Sequence, residues 1–292
     1  MAWRQLHLEL KSSEIDAISD ALHELGAVAV TMMDAEDNPI FEPPLGTTPL
    51  WDQTQLTGLF DASRNLDTVL AELAKRFGAQ VILQSRQDDL AEQDWERTWM
   101  DDFKPMLFGN HLWIVPSWHD APHPEAANIK LDPGLAFGTG THPTTALCLE
   151  WLDTHPPKGK LVIDYGCGSG ILAIAALKLG AEQVIGVDTD PQALMASGQN
   201  ATKNEVEERL ELFLPEAMPA VQCDVLIANI LANPLTEMAE KMARLVKTGG
   251  HIVLSGILKE QETALQQKYS QWFEMAPIVH KEDWVRLEGV KK

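Results

Sequence analysis

With 292 residues, 45% of them hydrophobic, the chain is long enough for one large domain or two ordinary ones, each with a real core. Its 43 acidic against 23 basic side chains leave a formal charge of −20, which repels nucleic acid and anionic membrane surfaces and attracts basic partners. Three cysteines, Cys148, Cys167 and Cys223, are too few and too scattered for a disulfide framework or a metal site. The start "MAWRQLHLEL" has no basic region followed by a long apolar run, and no stretch reaches membrane-spanning length. A cytoplasmic, soluble protein is expected. The charge is uneven: residues 1–102 carry 20 acidic and 7 basic side chains, a net −13, which would steer a cationic ligand or simply keep the chain soluble.

"WRQLHLEL" alternates polar and apolar residues as a half-buried strand does. "SSEIDAISDALHELG" has helical spacing, with Ser12 or Ser13 placed as cap and Gly26 as stop. "AVAVTMMD" reads as a strand, "DNPIFEPPLGTTPLW" as a loop, and "QLTGLFD" as a strand. "NLDTVLAELAKRFG" is a second amphipathic helix and "QVILQSR" a strand. The order strand, helix, strand, strand, helix, strand predicts a small ferredoxin-like α+β module over residues 1–86. Residues 87–103, acidic with Trp95 and Trp99 at i,i+4, read as a linker helix docked by its tryptophans. "KPMLFGNHLWIVPSW" opens the third region, residues 104–292, as a hairpin turning at Gly109–Asn110.

From Leu161 onward strands and helices alternate. "KLVIDYG", "QVIGVD", "LELFLP", "CDVLIANI" and "HIVLSGIL" are strands. "GILAIAALKLG", "DPQALMASGQNATKN" (Asp190 as N-cap, Pro191 in the first turn), "NPLTEMAEKMARLVKTGG" and "KEQETALQQKYS" are helices. "FEMAPIVHKEDWVRLEGV" reads as two strands closing in a hairpin. The pattern predicts an α/β domain with a Rossmann-like, mostly parallel sheet, helices on both faces, and an antiparallel hairpin at its end.

Ligands of such sheets bind outside the carboxyl ends of the strands. "DYGCGSG" brings Gly166, Gly168 and Gly170 to that edge, where a backbone must approach a ligand closely and turn sharply into a helix. Asp188, ending the next strand, is placed to accept the hydroxyls of a ribose, a device shared with NAD enzymes. Two features separate the cofactors. A pyrophosphate turn would want glycine at position 171, which is Ile171. Asp164 would repel a pyrophosphate and favour the ammonium and sulfonium of S-adenosylmethionine. The closing hairpin is also unusual in a plain dinucleotide fold. Cys167 is small enough for the turn and has no neighbouring base to make it a nucleophile.

Two further stretches stand near this edge. "GLAFGTGTHPTTALCLEWL" places Gly138 and Gly140 in a tight turn beside Phe137, with His142 following and Thr144 or Thr145 able to cap a helix. It lacks the Gly-Lys-Ser/Thr ending of a phosphate loop. "ANILANPL" ends a strand with Asn229, whose side-chain oxygen can accept a hydrogen bond from an amine. Amino-methylating enzymes carry Asn-Pro-Pro-Tyr or a relative at this place; here Ile230 and Leu231 replace the prolines.

"GLAFGTGTHPTT", "DYGCGSGILAIAA", "GVDTDPQA" and "NILANPL", in this order behind an acidic module, resemble the ribosomal protein L-eleven methyltransferase family (PrmA) over essentially the whole chain. The resemblance implies a class I enzyme that uses S-adenosylmethionine. It implies methylation of the substrate's N-terminal α-amine and of lysine ε-amines, up to the trimethyl state. The small first domain would recruit the ribosomal protein and the linker would let the domains reorient. Carried over by motif, Thr145, Gly166, Asp188 and Asn229 are cofactor contacts, while Phe137, Gly138 and His142 lie in a loop that covers the cofactor. Asp164 and Gly168 join them from the reading of the loop. Asn229 is the catalytic candidate, orienting the amine; no general base is assigned.

The acidic surface fits a basic ribosomal protein as partner and disfavours direct action on RNA. A monomer is expected, with no membrane partner and no metal. Alternatives are a methyltransferase acting on another protein, RNA or a small molecule; an NAD-dependent oxidoreductase; and a binding module that keeps the cofactor as a structural ligand.

Overall fold

A computed structural model of the chain describes residues 3–36, 38, 40, 49–90, 103–132 and 142–292. The chain divides into two compact units, Met1–Trp99 and Met100–Lys292.

In the first unit the order is β1 (Trp3–Lys11), α1 (Ile15–Glu24), β2 (Ala29–Asp34), β3 (Gln53–Asp61), α2 (Leu66–Phe77), α3 (Gln80–Leu83) and β4 (Ser85–Leu90). The strands form one antiparallel sheet in the order β2-β3-β1-β4, the ferredoxin-like arrangement expected from the sequence. Alternate residues of β1, Leu6, Leu8 and Leu10, face a core with Leu56 and Phe60 of β3, Ile18 and Leu22 of α1, and Val69 and Leu73 of α2. Each such buried side chain stabilises the unit by about 1.5–3 kcal/mol. Asn65 caps α2, its side chain accepting from the amides of Asp67 and Thr68.

Three expectations for this unit are corrected. Ser12 and Ser13 do not cap α1; they form a 3-10 turn and the helix begins at Ile15 without a side-chain cap. The stretch "QVIL" is one helical turn, so the last strand begins at Ser85. That strand then runs to Leu90, paired antiparallel with β1 as far as Trp3, and Asp89 adds an ion pair to Arg4 at 2.8 Å. Residues 87–90 therefore belong to the sheet and not to a linker. Trp95 and Trp99 lie outside the described residues.

The second unit opens with a small sheet, β5 (Met106–Phe108), β6 (Leu112–Val115) and β7 (Ala127–Lys130). The β5–β6 turn at Gly109–Asn110 is held by Asp153, whose buried carboxylate accepts from the amides of Asn110 (2.7 Å) and His111 (3.1 Å). β7, parallel to β6, was not legible as a strand. Then come α4 (Pro143–Thr154), β8 (Leu161–Tyr165), α5 (Ile171–Lys178), β9 (Gln183–Val187), α6 (Pro191–Lys203), β10 (Leu210–Phe213), β11 (Cys223–Asn229), α7 (Ala232–Glu237), α8 (Ala239–Leu245), β12 (Val246–Leu258), α9 (Glu262–Tyr269), β13 (Phe273–Met275), β14 (Val279–Lys281) and β15 (Trp284–Lys291).

The main sheet runs β10-β9-β8-β11-β12-β15-β13, with β14 also paired to β15. Its first five strands are parallel; β15 is antiparallel to β12, β13 and β14. The strands read as apolar runs because both faces are covered. Val225 and Ile227 pack towards α4, α5 and α6, while Leu226 and Ala228 pack towards α7, α8 and α9. The long helix expected over 233–250 is two short ones, separated at Met238, whose ψ of 6° leaves the helical region. The expected closing hairpin has its first half split into β13 and β14, both on β15. All three cysteines are buried, and burial pushes each thiol up to about 12.

Candidate active site

The carboxyl ends of β8, β9 and β11 converge on a cavity of about 490 Å³. Thr145, Gly166, Gly168, Asp188 and Asn229 all line it. Five positions named from sequence are thus brought together from four separate elements.

The glycine loop is tied down from two sides. The amides of Gly166 and Cys167 donate to the Val187 carbonyl at 2.7 and 3.0 Å, so the loop folds back over the end of β9. Asp188 then clasps it: Oδ2 accepts from the Gly168 amide at 2.9 Å and Oδ1 from the Asp190 amide at 3.0 Å. From α6, Ser197 Oγ donates to the Gly168 carbonyl and Asn200 Nδ2 to the Ser169 carbonyl, both at 2.9 Å. These two residues were missed. Their spacing, i and i+3 on a helix that follows a loop of this kind, was the available signal. Gly166 has φ of +84°, and a Cβ there would sit 2.2 Å from Ile230 Cγ2, so the turn accepts only glycine.

Asn229 is oriented from α4. Its Nδ2 donates to Thr145 Oγ1 at 3.2 Å, which leaves Oδ1 as the acceptor. Thr145 is therefore not a helix cap. His142 takes that place: its Nδ1 accepts from the Thr144 amide at 3.3 Å, and Pro143 occupies the first turn. Burial lowers the His142 pKa, which keeps that nitrogen's lone pair available. The ring meets Trp284 edge-on at 4.9 Å between centroids, and His142 does not line the cavity. Phe137 and Gly138 lie outside the described residues.

Asp164 also stands away from the lining. It is 1% exposed, Oδ2 accepts from the Ala173 amide at 2.9 Å, and Oδ1 has no hydrogen-bond partner among the described residues. Burial pushes its pKa up to about 7; the Ala173 amide opposes the shift and the Asp188 charge adds to it. The expected second carboxylate facing the cofactor is instead a buried group that fastens the first turn of α5 to β8. The remaining walls are mostly apolar: Val187, Pro215, Ile230, Pro234 and Met238. Lys241 and Tyr165 close one side, with Nζ donating to the phenol oxygen at 2.9 Å.

These residues fit a nucleoside cofactor that lacks a pyrophosphate. A glycine cradle, a strand-end carboxylate and apolar walls suit a ribose and a flat base. Among the described residues the one lining cation, Lys241, is engaged by Tyr165 and lies outside the glycine loop.

Comparison with known proteins decides the family. The family described as Ribosomal protein L11 methyltransferase (PrmA) matches residues 2–292. The chain belongs to that family. It is 55% identical over 293 residues, covering the full length of both chains, to "Ribosomal protein L11 methyltransferase" of Pseudomonas syringae pv. tomato. It is 54% identical over 296 residues to the protein of the same name from Marinobacter nauticus, covering 100% of this chain and 99% of that one. Among solved structures, "ribosomal protein L11 methylase" of Lactobacillus delbrueckii subsp. bulgaricus superposes with a TM-score of 0.60 at 31% identity, over 65% of this chain and all of that one. The protein is therefore an S-adenosylmethionine-dependent methyltransferase of class I fold, and the NAD-dependent alternative is set aside.

Proposed function

We propose that the chain methylates amino groups of ribosomal protein L11: its N-terminal α-amine and lysine ε-amines, as far as the trimethyl state. The relatives' names support the substrate. Among the site's features, the Asn229–Thr145 pair at the cavity edge carries the choice of an amine as acceptor. An amide oxygen fixed beside the cofactor pocket accepts from an N–H and aims the nitrogen's lone pair.

S-adenosylmethionine, when bound, supplies a methyl group activated by its sulfonium. Asp188 would hold the ribose hydroxyls while Gly166 and Gly168 let the backbone close on the nucleoside. The amine must arrive unprotonated. An α-amine, with an ordinary pKa of about 7.7–8.0, is partly neutral at pH 7; a lysine at about 10.4 must give up its proton at roughly 4–5 kcal/mol. A mostly apolar mouth disfavours the ammonium form, so the site needs no dedicated base. The residues then act by proximity and alignment.

The acidic first unit, within a segment of net charge −13, would recruit the basic ribosomal protein. In this reading the first unit, through β4 at Leu90, recognises substrate, the segment after it connects, and residues 104–292 carry the chemistry in a cytoplasmic monomer that makes no direct contact with nucleic acid. The reading is tested by mass spectrometry of purified L11 after incubation with the enzyme and isotopically labelled cofactor. Additions at the first residue and at lysines are expected, one per methyl group, each larger than the 14 mass units of an ordinary methyl by the mass of the label; no added mass refutes it.

A further inference from the structure

In amino-methylating enzymes the prolines after the Asn fix the turn through their rings. Ile230 and Leu231 have no such constraint, yet Asn229 needs one arrangement to aim an amine. The structure holds Ile230 from both sides. Gly166 follows β8 and Gly256 belongs to β12, the two strands that flank β11. At Gly166 the missing Cβ would lie 2.2 Å from Ile230 Cγ2, a side-chain atom. At Gly256, with φ of +83°, it would lie 2.3 Å from the Ile230 carbonyl oxygen, 2.7 Å from its carbon and 3.1 Å from its nitrogen. One glycine grips the side chain and the other the backbone.

Gly256 is set in place by its own strand. The β12–β15 register shifts between Leu254 and Ile257, a bulge that re-aims the chain at this point. The neighbouring Ser255 is in register with Asn229 across β11 and β12, and its buried Oγ donates to the Val285 carbonyl at 3.2 Å. Gly256 is buried and does not line the cavity.

We propose that Gly256, with Gly166 opposite, is a positioning residue for the acceptor amine. The two glycines clamp Ile230 and thereby hold the Asn229 amide and the Ile230 carbonyl in one geometry, the service that two prolines perform elsewhere. The proposal rests on the reading that Asn229 faces the amine.

The test measures kcat and KM for methylation of purified L11, together with the Kd of S-adenosylhomocysteine by calorimetry. Gly256→Ala is expected to lower kcat by roughly 10²-fold, the scale of a small misplacement near a reacting group, while Kd changes by less than about threefold. A kcat within twofold of wild type, or a Kd that weakens in proportion to kcat, overturns the clamp. The second arm begins at Gly166, whose variant is independent of Gly256→Ala, and a circular dichroism spectrum of Gly256→Ala separates a misplaced Ile230 from a misfolded chain. Gly166→Ala meets a side-chain atom, so adding Ile230→Ala removes the clash while the strain of a Cβ at φ +84° stays, and should recover about threefold or more in kcat. Added to Gly256→Ala, the same truncation keeps the clashing backbone atoms and should recover nothing. Recovery in both pairs, or absence of recovery at Gly166, overturns the proposal. Asn229→Ala is measured alongside. If it leaves kcat unchanged, the reading of Asn229 fails and takes the clamp with it; if only Gly256→Ala leaves kcat unchanged, the clamp alone fails.

Discussion

Asp164→Asn is the most direct probe of the buried carboxyl behind the glycine loop. Folding takes this group from an ordinary value near 3.9 to about 7, because burial penalises the carboxylate. Between those values the folded protein holds a proton that the unfolded chain has released. Its contribution is therefore fully present below about pH 4 and is lost as pH rises towards 7. For the shift from about 3.9 to about 7 the loss between pH 5 and pH 8 is about 2–3 kcal/mol, at 1.36 kcal/mol per pH unit. Asparagine keeps an oxygen for the Ala173 amide and cannot titrate. The buried amide it introduces shifts stability by an amount that does not depend on pH. Urea unfolding of wild type and variant at pH 5, 6, 7 and 8 should thus show a stability difference that moves by about 2–3 kcal/mol in favour of the variant. A difference that stays level across that range would refute the assignment of a raised pKa to Asp164.

Four further outcomes are expected. Asn229→Ala should lower kcat by roughly 10²-fold with a much smaller change in S-adenosylhomocysteine affinity; equal losses in a rate assay and in calorimetry would remove its orienting role. Thr145→Val keeps the shape and deletes the oxygen that anchors Asn229, so kcat should fall about 2–10-fold, the range of one hydrogen bond, and an unchanged kcat would show the anchor to be idle. Asp188→Ala removes the clasp on Gly168 as well as the ribose acceptor, and the Kd of S-adenosylhomocysteine should rise by at least about tenfold. The KM for L11 should climb between low and high ionic strength as charge steering is screened; a flat KM would dismiss the acidic surface as a recruiting device.

Much of the fold was legible because periodicity and punctuation agreed. Both faces of the main sheet are covered, so its strands stand out as apolar runs between Gly-ended helices. β7 escaped because "ANIK" is four residues of mixed polarity whose strand state comes only from its pairing with β6. "QVIL" misled for the converse reason: its composition favours a strand, and its place before β4 makes it one helical turn. At the site, Gly166, Gly168, Asp188 and Asn229 were readable from position at strand ends. Thr145 was placed by family likeness but its partner was not, since the contact joins residues 84 positions apart. Asp164 shows the limit of reading charge from sequence: spelling places a carboxyl next to the loop, and only packing reveals that it is buried and absent from the cavity lining.

The three buried thiols have a practical consequence. With each raised to about 12, very little thiolate exists at neutral pH, and alkylating reagents that need one react slowly with all three. A cysteine introduced on the surface would be labelled against a low background. One in place of Lys75 and another in place of Arg244, both highly exposed and on different units, would carry a pair of dyes without first rebuilding the native sequence. The chain is already an instrument for watching its two halves as substrate arrives.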